Sequence, residues 1–420
     1  MKIVVPATRK ARDARGWLMI LLLAVGALTP TFVSCADSGK ELEGGPELDG
    51  GEDAETSDAH DGGGDCDAGD AGCTHAVTCD ETDWSPVATT SIDKRRTLTS
   101  IWGSGKNDVW VVGSAGTIAH FDGTTWTTIP SGTKETLRAV WGSSATDVWV
   151  VSTPGVLLHG NGWNAGTASF DLAPEIPRVV DNVATLTLAV WGSSPDDVWL
   201  GGEPMPLDWD LSEHAPAWRK ADPGGGVGWE NVFVARSTDR VTVRSIWGSG
   251  PNDVWAVGGD DDEVFNPDGT QSVVSRGRTF HASSDGSGGA LQWKELDSQS
   301  SSILYAVWGS GPGDVWAVGR RGTIRRFKTG ASRWETVSSP TTENLRGLWG
   351  SGPSDVWAVG DNGTLLHFDG ASWETSSAAF PPGPKPNLYG VWGSGADDVW
   401  AVGEDGLLHF SGHTNNGGAP

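Results

Sequence analysis

A phrase repeated seven times, a four-beat strand rhythm inside each repeat, and an orphan strand ahead of the first copy predict an all-β chain. The predicted architecture is a seven-bladed β-propeller of four-stranded blades, closed by an N-terminal strand. The phrase is Trp102-Gly103-Ser104, three loop residues, then Asp108-Val109-Trp110. It returns from Trp141, Trp191, Trp247, Trp308, Trp349 and Trp392, with the Asp six positions after the leading Trp each time. Seven copies with two Trp each account for 14 of the 24 tryptophans, so the frame is where the large apolar rings are used.

The chain opens on a basic stretch (Lys2, Arg9, Lys10, Arg12, Arg15) followed by an apolar run from Trp17 to Leu28. This is the pattern of a secretory signal, and the run is too short for a transmembrane helix. Phe32-Val33-Ser34-Cys35 resembles the lipobox of bacterial lipoproteins, in which a small residue precedes the Cys. The resemblance implies a signal peptide over residues 1–34, acylation of Cys35, and membrane contact through that lipid anchor alone. The expected location is the outer membrane or cell surface of a Gram-negative bacterium.

Residues 35–82 form the second region. From 36 to 83 there are 16 Asp and Glu against Lys40 alone, about -15 of the chain's net charge of -25. Almost no large apolar side chain is present, so the segment is expected to be a disordered, extended tether. Calcium binding by Asp61, Asp65, Asp67 and Asp70 is the alternative, although the stretch has no twelve-residue EF-hand frame. Cys66, Cys73 and Cys79 end it, and outside the cytosol one disulfide is expected there, its pairing open among the three.

Residues 83–420 are the propeller. Strand a of each unit runs like Leu137–Trp141, strand b like Val148–Val151 and strand c like Thr117–Phe121. Strand d is expected to start at a further Trp: Trp126, Trp163, Trp229, Trp293, Trp334 or Trp373. Short β-branched and aromatic runs between Gly, Asn, Asp and Pro clusters carry this reading. The seventh unit has no fourth Trp, and Trp84 sits alone before the first, so residues 84–90 are expected to complete blade seven and remove its edge. Strand a should line the central channel, because the residue two before each leading Trp is small. The paired tryptophans should pack between blades. The seven Asp before Val-Trp are expected to accept turn and indole hydrogen bonds, since residues identical in every blade serve the fold.

Function is expected where the repeat breaks. Long b–c connections occur in blades three (Glu203–His214) and four (Gly259–Gly277), and long d–a connections follow blades two (Ala165–Leu186) and six (Glu374–Asn387). All open on one rim. The position three before the leading Trp also varies: Thr99, Arg138, Leu188, Arg244, Tyr305, Arg346 and Tyr389. Arg138, Arg244, Arg346, Tyr305 and Tyr389 around a channel suit an anionic or sugar ligand; the alternative is that these Arg pair with nearby Asp. Trp209, on the blade-three insertion, is a further candidate contact. His120, His159, His367 and His409 share a strand c position, with Arg326 replacing His in blade five. One per blade is too far apart for metal ligation, so no metal and no cofactor is expected.

The phrase Trp247–Gly258, together with Leu365–Trp373, resembles the propeller lipoproteins abundant in myxobacteria and related bacteria, over residues 84–410. Such repeats are often grouped with sialidase-type Asp-box (BNR) propellers, although Asp122-Gly123-Thr124-Thr125-Trp126 lacks the Asp-box residue between Asp and Gly. The strand rhythm is also similar to tectonin-type propeller lectins, which implies glycan binding. The expected function is a non-enzymatic cell-envelope propeller, monomeric, that binds a glycan or protein partner through its variable rim. One alternative is a sialidase-like glycoside hydrolase or lyase at the channel mouth, for which Asp260, Asp261, Asp262 and Glu263 would supply the carboxylates. Another is a purely structural role in envelope assembly. The acidic charge excludes a nucleic-acid partner.

Overall fold

The computed structural model describes residues 82–152, 156–173, 184–205, 217–221, 228–232, 241–266, 268–284 and 291–412. Cys35, Cys66, Cys73, Cys79, Trp209 and the calcium alternative lie outside them. The described strands form seven separate four-stranded antiparallel sheets. Blade one is typical, with strand a at Leu98–Gly105, b at Asp108–Gly113, c at Ile118–Phe121 and d at Trp126–Ile129. Blade seven takes a, b and c from Leu388–Gly395, Asp398–Gly403 and Gly406–Phe410. Its fourth strand is β1 (Ser85–Val87), which pairs Ser85 with His409 and Val87 with Leu407. The N-terminal strand therefore closes the ring, as the orphan Trp84 predicts.

Trp packing shows why the phrase is written as it is. A Cβ added to the Gly after each leading Trp would collide with the leading Trp of the preceding blade: at Gly142 it would lie 2.5 Å from Trp102, and at Gly103 2.6 Å from Trp392. The contact passes through all seven blades and returns to the first, so Trp-Gly is a joint between neighbours. A second joint pairs the strand b Trp of one blade edge-on with a strand d aromatic of the next. Trp126 meets Trp400 at 5.6 Å, and Trp84 meets Trp357 at 5.1 Å and 84°.

One strand differs from expectation. In blade two, Trp163 does not begin strand d; that strand is Phe170–Leu172. Phe170 stands edge-on to Trp110 at 5.7 Å and 82°, where the other blades use Trp. Trp163 instead stacks on His120 at 4.5 Å. A Phe fills the joint because the contact needs an aromatic edge and no indole N–H. The b–c insertion of blade four also differs, being no loose loop. Strands Asp253–Phe265 and Gln271–Ser283 stay paired out to Phe265 and Gln271, as a ribbon extending beyond the fourteenth and seventeenth strands that flank its base (Thr242–Gly250 and Gln292–Leu296). In blade three, strands a and b are likewise long, at Ala184–Ser194 and Asp197–Met205.

Candidate functional site

Each a–b hairpin carries two one-residue slips on strand a. In blade one, Leu98 and Ser100 face consecutive residues of strand b, leaving Thr99 extra, and Gly103 and Gly105 leave Ser104 extra. The same slips recur in all seven blades. A bulge re-aims the side chain of its extra residue, so the two slips fix two side chains per blade, one toward each rim.

Near the a–b turn, the extra residue is always Ser, and its hydroxyl donates to the Asp of the phrase. Ser104 lies 2.6 Å from Asp108 and Ser193 2.6 Å from Asp197. The other carboxylate oxygen takes a strand c partner. Five blades use His, at 2.6–2.7 Å: His120, His159, His281, His367 and His409. Blades three and five use Arg219 and Arg326, at 2.7 and 2.6 Å. The ring or guanidinium then lies over the strand b Trp, from 4.0 Å for His281 on Trp255 to 4.9 Å for Arg219 on Trp199. Trp110 and Trp199 also donate their indole N–H to the same Asp, at 3.0 and 3.1 Å. Sequence spacing missed His281 and Arg219, because the long insertions of blades three and four hide the strand c register.

These networks are not hydrolytic triads, although they contain Ser, His and Asp. In a triad His stands between Ser and Asp, so that it takes the Ser proton. Here Asp stands between Ser and His, and the His has no hydroxyl to deprotonate. Nor do they gather metal ligands: among the described residues no three His, Cys, Asp or Glu side chains converge. Burial pushes the Asp108, Asp147, Asp253, Asp355 and Asp398 carboxyls up, but hydrogen bonds from His and Ser outweigh it and hold them below the usual carboxylate range.

At the other end of strand a the extra residues are the seven variable ones. They line a cavity of about 590 Å³ in the channel, together with the small residues that follow them. The structure brings Arg138, Arg244, Arg346, Tyr305 and Tyr389 together there, and separates their roles. Arg346 forms a two-pronged ion pair with Asp361, with Nη2 2.9 Å from Oδ2. Burial pushes the Asp361 carboxyl up, but this pair holds it low. The Arg346 guanidinium also lies over Tyr305 at 5.3 Å and Tyr389 at 5.4 Å. The Tyr389 hydroxyl donates to Glu404 at 2.9 Å; burial first, then this bond, raises its pKa. Arg244 lies over the same Tyr305 ring at 5.5 Å, and its Nε is buried without a hydrogen-bond partner among the described residues. Arg138 is exposed and makes no hydrogen bond or ion pair among the described residues.

The acidic cluster of the hydrolase alternative is already occupied. Asp260, 5% exposed, is paired with Arg276 at 3.0 Å and Arg278 at 3.4 Å. Asp261 accepts from Ser275 at 2.5 Å and lies 3.4 Å from Arg320, which reaches the Tyr305 hydroxyl at 3.4 Å. Two carboxylates neutralised by three arginines do not make an acid and base flanking a scissile bond. The side chains of Asp262 and Glu263 are outside the described set.

This chain is a seven-bladed β-propeller. No protein-family model matches it, and no curated protein does. Solved structures of similar fold include Ycf48 bound to D1 peptide, at 17% identity and a TM-score of 0.53, covering 80% of this chain and 97% of that one. Ycf48 from Cyanidioschyzon merolae is 18% identical, with a TM-score of 0.52 over 78% and 98% of the two chains. The extracellular domain of the hybrid two-component system BT3049 from B. thetaiotaomicron is 13% identical, with a TM-score of 0.53 over 79% of this chain and 41% of that one. At these identities the likeness is one of fold.

Proposed function

We propose that the chain is a binding propeller that takes an extended peptide segment of a partner protein across its variable rim, at the channel mouth. The observation that carries this is the division between the rims. One holds seven near-identical Ser–Asp–His or Ser–Asp–Arg networks. The other collects the lengthened strands a and b of blade three, the long ribbon of blade four, the variable bulge residues and the cavity. A rigid scaffold with its irregular elements on one face is how loops carry recognition. That a propeller of similar fold has been solved with a peptide bound supports the same use here.

A sugar is the weaker occupant. Stacking on a sugar needs a free aromatic face, and the Tyr305 and Tyr389 rings already carry the Arg346 guanidinium. Export and anchoring through Cys35 belong to the same proposal. Strand d runs from the a–b rim toward the variable rim, and β1 takes that place in blade seven. The described chain thus begins at the uniform rim, which supports a mouth facing away from an N-terminal anchor. The test is selection of a random dodecapeptide library on the full-length chain, with a glycan array beside it. Enriched peptides whose capture falls on substitution of rim residues are expected. Glycan capture with no peptide enrichment overturns the reading.

A further inference from the structure

Resting on the peptide reading, we infer that the channel mouth is a carboxylate receptor, with Arg138 and Arg244 as its receiving groups and Arg346 as part of its wall. The cavity is lined by three Arg and by no Asp or Glu, in a chain whose net charge is -25. A positive pocket in so acidic a protein concentrates anions. The three guanidinium groups are not equivalent. Arg346 has its carboxylate in Asp361, which leaves its charge neutralised and its fork filled. Arg244 has a buried Nε with no partner among the described residues, a state that costs free energy until an acceptor arrives. Arg138 has no ion pair among the described residues.

Their placement also selects. Arg138 belongs to blade two and Arg244 to blade four, with Leu188 of blade three between them on the cavity wall. A group entering there meets two guanidinium forks flanking an apolar side chain. Arg244 is braced over the Tyr305 ring, whose hydroxyl accepts from Arg320. Planar guanidinium forks match the two oxygens of a carboxylate, and that of Arg244 is held in place. The anions a polypeptide itself carries are carboxylates, on Asp, on Glu or at the C-terminus.

The experiment uses the full-length chain and defined probes. Fluorescent decapeptides with a Gly-Ser frame carry capped ends and a central Glu pair, the same frame with Gln, or no acid and a free C-terminus. Citrate, in a thermal-shift assay, serves as a carboxylate free of any peptide. The Glu probe is expected to bind at least about tenfold tighter than the Gln probe, and the free-terminus probe tells side-chain from terminal carboxylate. Arg244→Gln and Arg138→Gln should each remove that preference and the citrate shift. Arg346→Gln should weaken binding, because it leaves the Asp361 charge in the mouth; Arg346→Gln/Asp361→Asn should restore it. Circular-dichroism melts show that each variant is folded.

Equal binding of the Glu and Gln probes overturns the carboxylate receptor and leaves the peptide reading standing. A citrate shift that depends on Arg244, with no peptide bound, supports the receptor and overturns the peptide reading. An Arg346→Gln/Asp361→Asn variant as weak as Arg244→Gln overturns the division of roles among the arginines.

Discussion

Trp84→Ala should open the ring at blade seven. Trp84 is fully buried, edge-on to Trp357 at 5.1 Å and against Phe410 at 5.6 Å. Its backbone is also tied to the link after blade six, through Trp84 N to Ser377 O and Ala379 N to Trp84 O, both 3.1 Å. Truncating a buried Trp costs about 3–5 kcal/mol, of which the edge-on ring contacts supply about 0.5–1.5. The indole N–H has no hydrogen-bond partner among the described residues, so alanine also removes an unsatisfied donor worth about 1–3 kcal/mol. That offset places the expectation near the lower end, at about 3 kcal/mol. With an unfolding entropy of about 2.1 cal/mol/K per residue over roughly 330 residues, the melting temperature should fall by about 4 °C. Trp84→Phe should cost much less, because it discards the same N–H and keeps a ring edge, as Phe170 does in blade two. The assay is a thermal melt together with amide hydrogen exchange. Protection should fall first in Ser85–Val87 and Gly406–Phe410, the pair of strands the Trp clamps. A melt unchanged within about 1 °C, with exchange in Gly406–Phe410 also unchanged, would refute the closing role.

Gly350→Ala should destabilise by about 1–3 kcal/mol, because its Cβ would lie 2.6 Å from the Asp355 carbonyl and 2.7 Å from Trp308. Gly352→Ala, two residues on and with nothing within 4 Å, is the control, and urea midpoints compare the two. Stability should fall in acid. The five His-bonded Asp have depressed pKa values in the fold, so their contribution is full above the ordinary carboxylate pKa of about 3.9 and is lost as pH drops through the lower folded values. Urea midpoints from pH 7 to 2 should show this, with a shallower fall in Asp355→Asn. Asp260→Asn should cost about 1–3 kcal/mol locally, by weakening the charge-assisted hydrogen bonds that Arg276 and Arg278 donate to a buried carboxylate, read as faster proteolysis of the blade-four ribbon. Arg326→His should cost under about 1 kcal/mol, since five blades already use His in that place; a larger loss in its melt would mean that Arg and His are not interchangeable there.

The ring was legible because its joints are written in sequence. Trp-Gly at a fixed spacing encodes a large ring on one blade and the bare backbone it needs on the next, and the unmatched Trp84 encodes the closure. Where an aromatic of another kind fills a joint, as Phe170 does, Trp-counting places the strand at Trp163 instead. Spacing also loses His281 and Arg219, since an insertion of unknown length in the hairpin ahead of strand c removes the count. The candidate site was legible as a set of positions, because variation at one place in a repeat stands out against the constancy around it. What Arg138, Arg244 and Arg346 each do was not. Whether a guanidinium is free or filled depends on Asp361, fifteen residues downstream on the next strand's turn. In sequence Asp361 has no mark that distinguishes it from other loop acids.

The two slips of strand a explain how one hairpin serves both fold and recognition. A bulge aims its extra side chain while leaving the ladder intact on either side. At the a–b turn that side chain reaches the carboxylate of the phrase's Asp in every blade. The residue is Ser seven times, and its hydroxyl is committed to that Asp in each blade. At the opposite end the extra side chain lines a cavity, and no one partner is common to every blade. Thr, Leu, Arg and Tyr all stand there without altering the pairing around them. The channel mouth is thus the place in each blade where the repeat tolerates change without loss of the fold, and a new ligand preference can arise there by single substitutions.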